Sequence, residues 1–229
     1  MKASRRVGRI VGFLLFVLLP TGLIVPYVML RPLTGPPAAF LDVAAGMSTV
    51  VRLCVLQLFV GAALSVGISV ALFTLLRVRS RALALWVMAL ALANFTLQLV
   101  ENSHWLTMLS VSQAHVEAGV AKAEAFQPIG IVVRSAWKWA HYSHIFILVS
   151  WLFSLFLLLF RTATVPRVLP ALGMSLSVLH FIGITLPVFA GYRMPYPMLF
   201  GMPLGVGILA TAVWLMVRGL REEDETASD

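Results

Sequence analysis

The sequence is poor in charged residues, above all acidic ones, and it is nearly without cysteine. Of its 229 residues, 11% are charged and nine are acidic. A soluble domain carries roughly 25% charged residues, so this composition excludes an ordinary water-soluble globular protein. The one cysteine, Cys54, cannot form an internal disulfide, which excludes a disulfide-stabilised scaffold. What remains is 60% hydrophobic, with a mean hydropathy of +0.96. Such a chain is typical of a small protein with several membrane-spanning helices.

Six stretches contain no Asp, Glu, Lys or Arg, and each is 19 to 24 residues long. They are residues 10–30, 53–76, 82–100, 140–160, 168–190 and 198–217. About 20 apolar residues in a helix cross the hydrocarbon core of a bilayer. The pattern therefore predicts an all-α protein with six transmembrane helices in one bundle. We expect residues 1–221 to form this single domain. Residues 222–229 hold five of the nine acidic residues, and we expect them to be a disordered cytoplasmic tail.

The basic residues predict the orientation of the spans. With the N-terminus inside, eleven Lys and Arg residues lie on the inner side and six on the outer side. This bias predicts that both termini are cytoplasmic and that the protein lies in the cytoplasmic membrane of a bacterium. Positive charges that flank spans contact lipid headgroups, so membrane lipids are expected partners. No soluble segment combines a basic stripe with stacking aromatics, which excludes nucleic acid as a partner.

The polar residues that suit ligand binding are predicted to gather near the outer ends of the spans. On the third span, Asn94, Gln98 and Glu101 share one helix face, which we expect to point into the bundle because lipid cannot satisfy polar groups. His141 and His144 also share a face, at the outer end of the fourth span. The candidate ligand-binding residues are Arg52, Gln98, Glu101, His141, His144 and His180.

Three functions fit this set. The first is a non-enzymatic protein that binds, and transports, a lipid-like or small amphipathic molecule in an outward-facing polar pocket. The second is a membrane enzyme or redox subunit with a metal ion or haem. The third is a structural subunit, as a homo-oligomer or in a membrane complex, that packs through small residues. The same side chains are also compatible with plain interfacial polar groups, with Arg52 paired to Glu101.

The metal hypothesis depends on the spacing of the histidines. Residues three apart lie on one helix face, which suits two ligands of one ion. The metal candidates are His104, His141, His144 and His180. The chain lacks the second Glu-x-x-His pair that di-metal bundles need, and it has no G-x-S-x-G or H-E-x-x-H motif. We therefore predict no cofactor and favour a non-enzymatic protein.

Several short segments together resemble a known family. They are residues 9–12, 51–53, 71–77, 140–142, 159–161, 165–169, 172–173 and 213–219. They include Val51–Arg52–Leu53 at the start of the second span and Ala140–His141–Tyr142 at the start of the fourth. In these segments the chain resembles the bacterial membrane proteins of Domain of Unknown Function 4386. The resemblance implies about six helices, an uncharacterised role and no assigned catalytic residues.

Overall fold

The computed structural model describes residues 3–36, 38–119, 122–189 and 198–221. Within these ranges the ordered elements are helices, and there is no β-strand. The α-helices are α1 (Ala3–Ile24), α2 (Phe40–Val43), α3 (Ser48–Ala118), α4 (Ala123–Thr162), α5 (Val168–Phe189) and α6 (Met198–Arg218). A π-helical turn, Val25–Met29, and a 3-10 turn, Arg31–Thr34, follow α1. The predicted all-α class is confirmed for the described chain. The predicted tail, residues 222–229, lies outside the described residues.

Five helices are long and apolar enough to cross a membrane. One of them, α3, has 71 residues and contains both the second and the third predicted span. The helix is broken at Ser80, whose φ of −156° and ψ of 77° are not helical. The helix turns back at this point, because Asn94 Nδ2 donates to Ser65 Oγ at 3.1 Å although 29 residues separate them. A straight helix would hold the two residues about 44 Å apart.

The chain contacts divide the molecule into two compact units. The first, unit 1, comprises residues 1–19, 62–95 and 145–229. Its core is apolar and includes Leu72, Trp151 and Phe156. Several buried polar side chains inside it are hydrogen-bonded, as an apolar medium favours. Trp151 Nε1 donates to Ser69 Oγ at 2.9 Å, and Ser69 Oγ donates to the Ser65 carbonyl at 2.8 Å. The prediction of a single domain over residues 1–221 stays a prediction.

The second, unit 2, comprises residues 20–61 and 96–144. Its core includes Phe40, Leu41 and Trp105. The buried hydroxyl of Ser112 fastens α2 to α3, because it donates to the Leu41 carbonyl at 2.7 Å and accepts the Ala45 N–H at 2.8 Å. Residues 102–139, which the sequence leaves between two spans, are mostly the continuation of α3 and the start of α4. Good helix formers in this segment, such as alanine and glutamate, explain why the helices do not end at the spans.

Close helix packing in unit 1 gives a testable expectation at Gly12. A Cβ atom added to Gly12 would lie 2.7 Å from the Ala212 carbonyl oxygen and 2.7 Å from the Met216 nitrogen, both backbone atoms. Gly12→Ala should therefore lower the stability by about 1–3 kcal/mol through overpacking. Gly67→Ala is the matched control, because nothing lies within 4 Å of its added Cβ. Thermal unfolding in detergent measures both variants, and an unchanged melting temperature for Gly12→Ala would contradict the α1–α6 contact.

Candidate functional site

One face of α3 carries the predicted polar stripe into unit 2. Gln98, Glu101, Trp105, Met108 and Ser112 follow one another at intervals of three or four residues, and each is buried. This alternation keeps side chains on one side of a helix. The side chains of this stripe therefore lie inside the protein, as the sequence predicts for polar residues in an apolar helix.

A second stripe lies on α4, also in unit 2. Arg134, Trp137, His141 and His144 recur at intervals of three, four and three residues. Trp137 and His144 are buried, while Arg134 and His141 are half-buried. The two stripes meet, since Trp105 of α3 and Trp137 of α4 have ring centroids 4.6 Å apart.

The two stripes join at a carboxylate held by two histidines, which we call the Glu101 cluster (Glu101, His141 and His144). His141 Nδ1 lies 2.8 Å from Glu101 Oε1, and His144 Nδ1 lies 2.8 Å from Glu101 Oε2. An ionised carboxylate only accepts hydrogen bonds, so each Nδ1 carries a proton and donates it. The side chains of Glu101 and His144 are 5% and 8% exposed, and that of His141 is 25% exposed. The cluster therefore combines a buried negative charge with one accessible imidazole.

An aromatic and cationic flank extends the cluster along α4. The His141 ring stacks on Trp137 with centroids 4.9 Å apart and an interplanar angle of 15°. The Arg134 guanidinium carbon lies 4.1 Å from the centroid of the same Trp137 ring. The sequence reasoning missed Arg134 and Trp137 as site residues, because both lie outside the predicted spans. Their three- and four-residue spacing from His141 and His144 is the signal that identifies them.

The remaining candidates are Gln98, Arg52 and His180. Asn102 Nδ2 donates to the Val55 carbonyl at 3.2 Å and so connects the two halves of α3, while Gln98 Nε2 donates to Asn102 Oδ1 at 2.9 Å, one helical turn away. Arg52 is exposed. It does not pair with Glu101, because both carboxylate oxygens of Glu101 are bound by histidines. His180 belongs to unit 1 and is half-buried.

The geometry of the Glu101 cluster suits hydrogen bonds. Ligand atoms bound at ~2.1 Å around a tetrahedral ion lie roughly 3.4 Å from one another, whereas the nitrogen–oxygen pairs here lie 2.8 Å apart. Within the described residues, no group of three His, Cys, Asp or Glu side chains is arranged to hold a metal ion. His104, the other metal candidate on α3, is half-buried.

An all-helical chain with several long apolar helices is a multi-pass membrane protein. The chain belongs to the family described as Domain of unknown function (DUF4386), whose sequence model matches residues 10–219. This match confirms the resemblance read from the short segments. No curated protein and no solved structure matches the chain.

The Glu101 cluster predicts an asymmetry between two glutamates of α3. Glu101→Gln replaces one acceptor oxygen by an NH₂ group and leaves a buried histidine N–H without its acceptor, which should cost about 1–3 kcal/mol. Glu117→Gln, at an exposed position of the same helix, should leave the stability unchanged. Chemical unfolding monitored by tryptophan fluorescence measures both variants. Equal stabilities would contradict a structural role for the cluster.

Proposed function

We propose that the chain is a six-span protein of a bacterial cytoplasmic membrane that binds a lipid-like or small amphipathic molecule at the Glu101 cluster, without catalysing a reaction. The observation that carries this proposal is the half-buried imidazole of His141. A buried carboxylate fixes its orientation, and the broad apolar ring of Trp137 lies against its face. A polar edge beside an aromatic surface is the combination that an amphipathic molecule requires.

The break at Ser80 supports six spans. It lies between residues 53–76 and 82–100, and the hydrogen bond from Asn94 to Ser65 brings the two halves of α3 together. With two crossings assigned to α3, the five long apolar helices support a count of six spans. Six crossings would put both termini on one side of the membrane, and the excess of basic residues on that side supports a cytoplasmic assignment.

Helix length supports an outward position for the Glu101 cluster. The 40 residues of α4 extend over about 60 Å, twice the thickness of the hydrocarbon core. Its apolar span begins at residue 140, which supports a position outside the hydrocarbon core for the preceding 17 residues of α4, about 26 Å of helix. His141 and His144 follow this boundary immediately, and Glu101 ends the apolar stretch of α3. A ligand at the cluster thus places its polar part at the membrane surface and its apolar part among the spans.

The six-span orientation is tested by labelling single cysteines. In a Cys54→Ala background, Ser110→Cys and Arg77→Cys introduce thiols at exposed positions on either side of Ser80. A membrane-impermeant maleimide should label residue 110 in intact cells and residue 77 only after permeabilisation. Labelling of residue 77 in intact cells would overturn the orientation.

Ligand binding is tested by native mass spectrometry of the protein purified in mild detergent. The wild type should retain a bound amphipathic molecule, and His141→Gln should lower its occupancy at least fivefold. His104→Gln is the matched control, because this half-buried histidine lies on α3 outside the Glu101 cluster. Equal occupancy in the three proteins would place the ligand elsewhere, and no retained molecule in the wild type would overturn the proposed binding function.

A further inference from the structure

Arg134 is a half-buried cation whose hydrogen-bonding capacity is only partly used. Its Nη2 donates to the Thr34 carbonyl at 2.9 Å, and its guanidinium carbon lies 4.1 Å from the Trp137 ring centroid. Its Nε is buried and has no hydrogen-bond partner. A guanidinium offers five N–H donors in a planar fork, which matches the oxygens of a phosphate or carboxylate group. The structure thus holds the guanidinium in place, with Nε enclosed by the protein, and leaves N–H donors of Nη1 and Nη2 without a protein partner.

The charge of Arg134 has no acidic partner in the described part of the chain. The two carboxylates of unit 2 that form ion pairs contact histidines instead: Glu101 contacts His141 and His144, and Asp42 contacts His115 at 3.2 Å. The other described acidic residues of this unit, Glu117 and Glu124, are exposed. Removing a cation from water without a counter-ion costs free energy, and an anion supplied from outside would offset that cost.

Lys138 adds a second positive charge one helical turn after Arg134. Its Nζ lies 5.1 Å from the Trp139 ring centroid and 6.0 Å from that of Tyr142. Arg134 and Lys138 lie six and two residues before the apolar span that begins at residue 140. Tryptophan, tyrosine and basic side chains at the end of a span lie at the depth of lipid headgroups. The neighbouring charges and rings therefore occupy the level at which lipid phosphates are found.

We propose that Arg134 and Lys138 form a binding site for a net-anionic phosphate group at the outer end of α4. The inference rests on the proposed function, since Trp137 contacts both Arg134 and His141 and so connects this site to the Glu101 cluster. It specifies the chemistry of the ligand: a phosphate lies against the guanidinium fork, while any attached acyl chains follow the apolar span. The phosphate belongs either to a lipid headgroup or to a free anion.

Binding of defined probes to the full chain in detergent tests this site. The probes are short-chain phosphatidylglycerol, short-chain phosphatidylcholine and inorganic phosphate, with titration calorimetry as the readout. Phosphatidylglycerol should bind at least tenfold more tightly than the zwitterionic phosphatidylcholine, because two cations face its headgroup. Competition by inorganic phosphate would identify a free anion as a sufficient ligand, and lipid binding without such competition would identify a headgroup. Both outcomes support a phosphate site, whereas equal affinity for the two lipids would overturn it.

Two variants locate the site. Arg134→Gln should weaken phosphatidylglycerol binding at least tenfold, and Arg134→Lys should recover part of the affinity because it keeps the charge but loses the fork. Lys122→Gln, at an exposed basic position outside this group, should change the affinity less than twofold. Unchanged affinity in a folded Arg134→Gln variant would overturn the site. If His141→Gln still lowers ligand occupancy in that case, the proposed function stands and only the phosphate assignment fails.

Discussion

A negative charge inside an apolar helical protein needs hydrogen-bond donors from the protein itself. In this structure two histidines donate to the carboxylate of Glu101. Lipid acyl chains provide neither a counter-charge nor a hydrogen-bond donor, so an isolated carboxylate buried among apolar helices would shift its protonation or destabilise the fold. Two imidazole N–H groups from one face of α4 occupy its two oxygens. The contact fixes the register of α3 against α4, because a displacement of one residue would separate Glu101 from both histidines. The stacking of His141 on Trp137 depends on the same register.

The same rule explains several other buried polar side chains in each unit. In unit 1, Ser65 and Ser69 bind Asn94 and Trp151, so the small hydroxyls provide both close helix approach and hydrogen-bond partners. In unit 2, Ser112 satisfies two backbone groups near α2. Arg134 uses only part of its hydrogen-bonding capacity within the protein, and this deficit indicates what kind of ligand the protein binds. An incompletely partnered cation beside aromatic rings is the feature from which the phosphate assignment is argued.

Much of the fold could be read from the pattern of charges. Over the described residues, the apolar stretches lie in helical segments except at Leu30, and the family match agrees with the segments on which the resemblance was based. The site was predictable in part. Glu101, His141 and His144 share a contact because their spacings place them on single helix faces at the outer ends of their spans. Arg52, at the corresponding end of the second span, is instead exposed, because position along a helix specifies depth but not direction.

Composition and spacing alone establish that the chain is a multi-pass helical membrane protein, since an apolar stretch of about 20 residues without charge has few other stable environments. They also establish which residues of one helix lie together, because the helical period is constant. Tertiary packing alone decides which faces of different helices meet. It pairs Glu101 with two histidines instead of Arg52, and it continues α3 and α4 beyond the spans so that Arg134 reaches Trp137. These choices depend on contacts between residues as much as 100 positions apart, such as Arg134 with Thr34, which no local periodicity encodes.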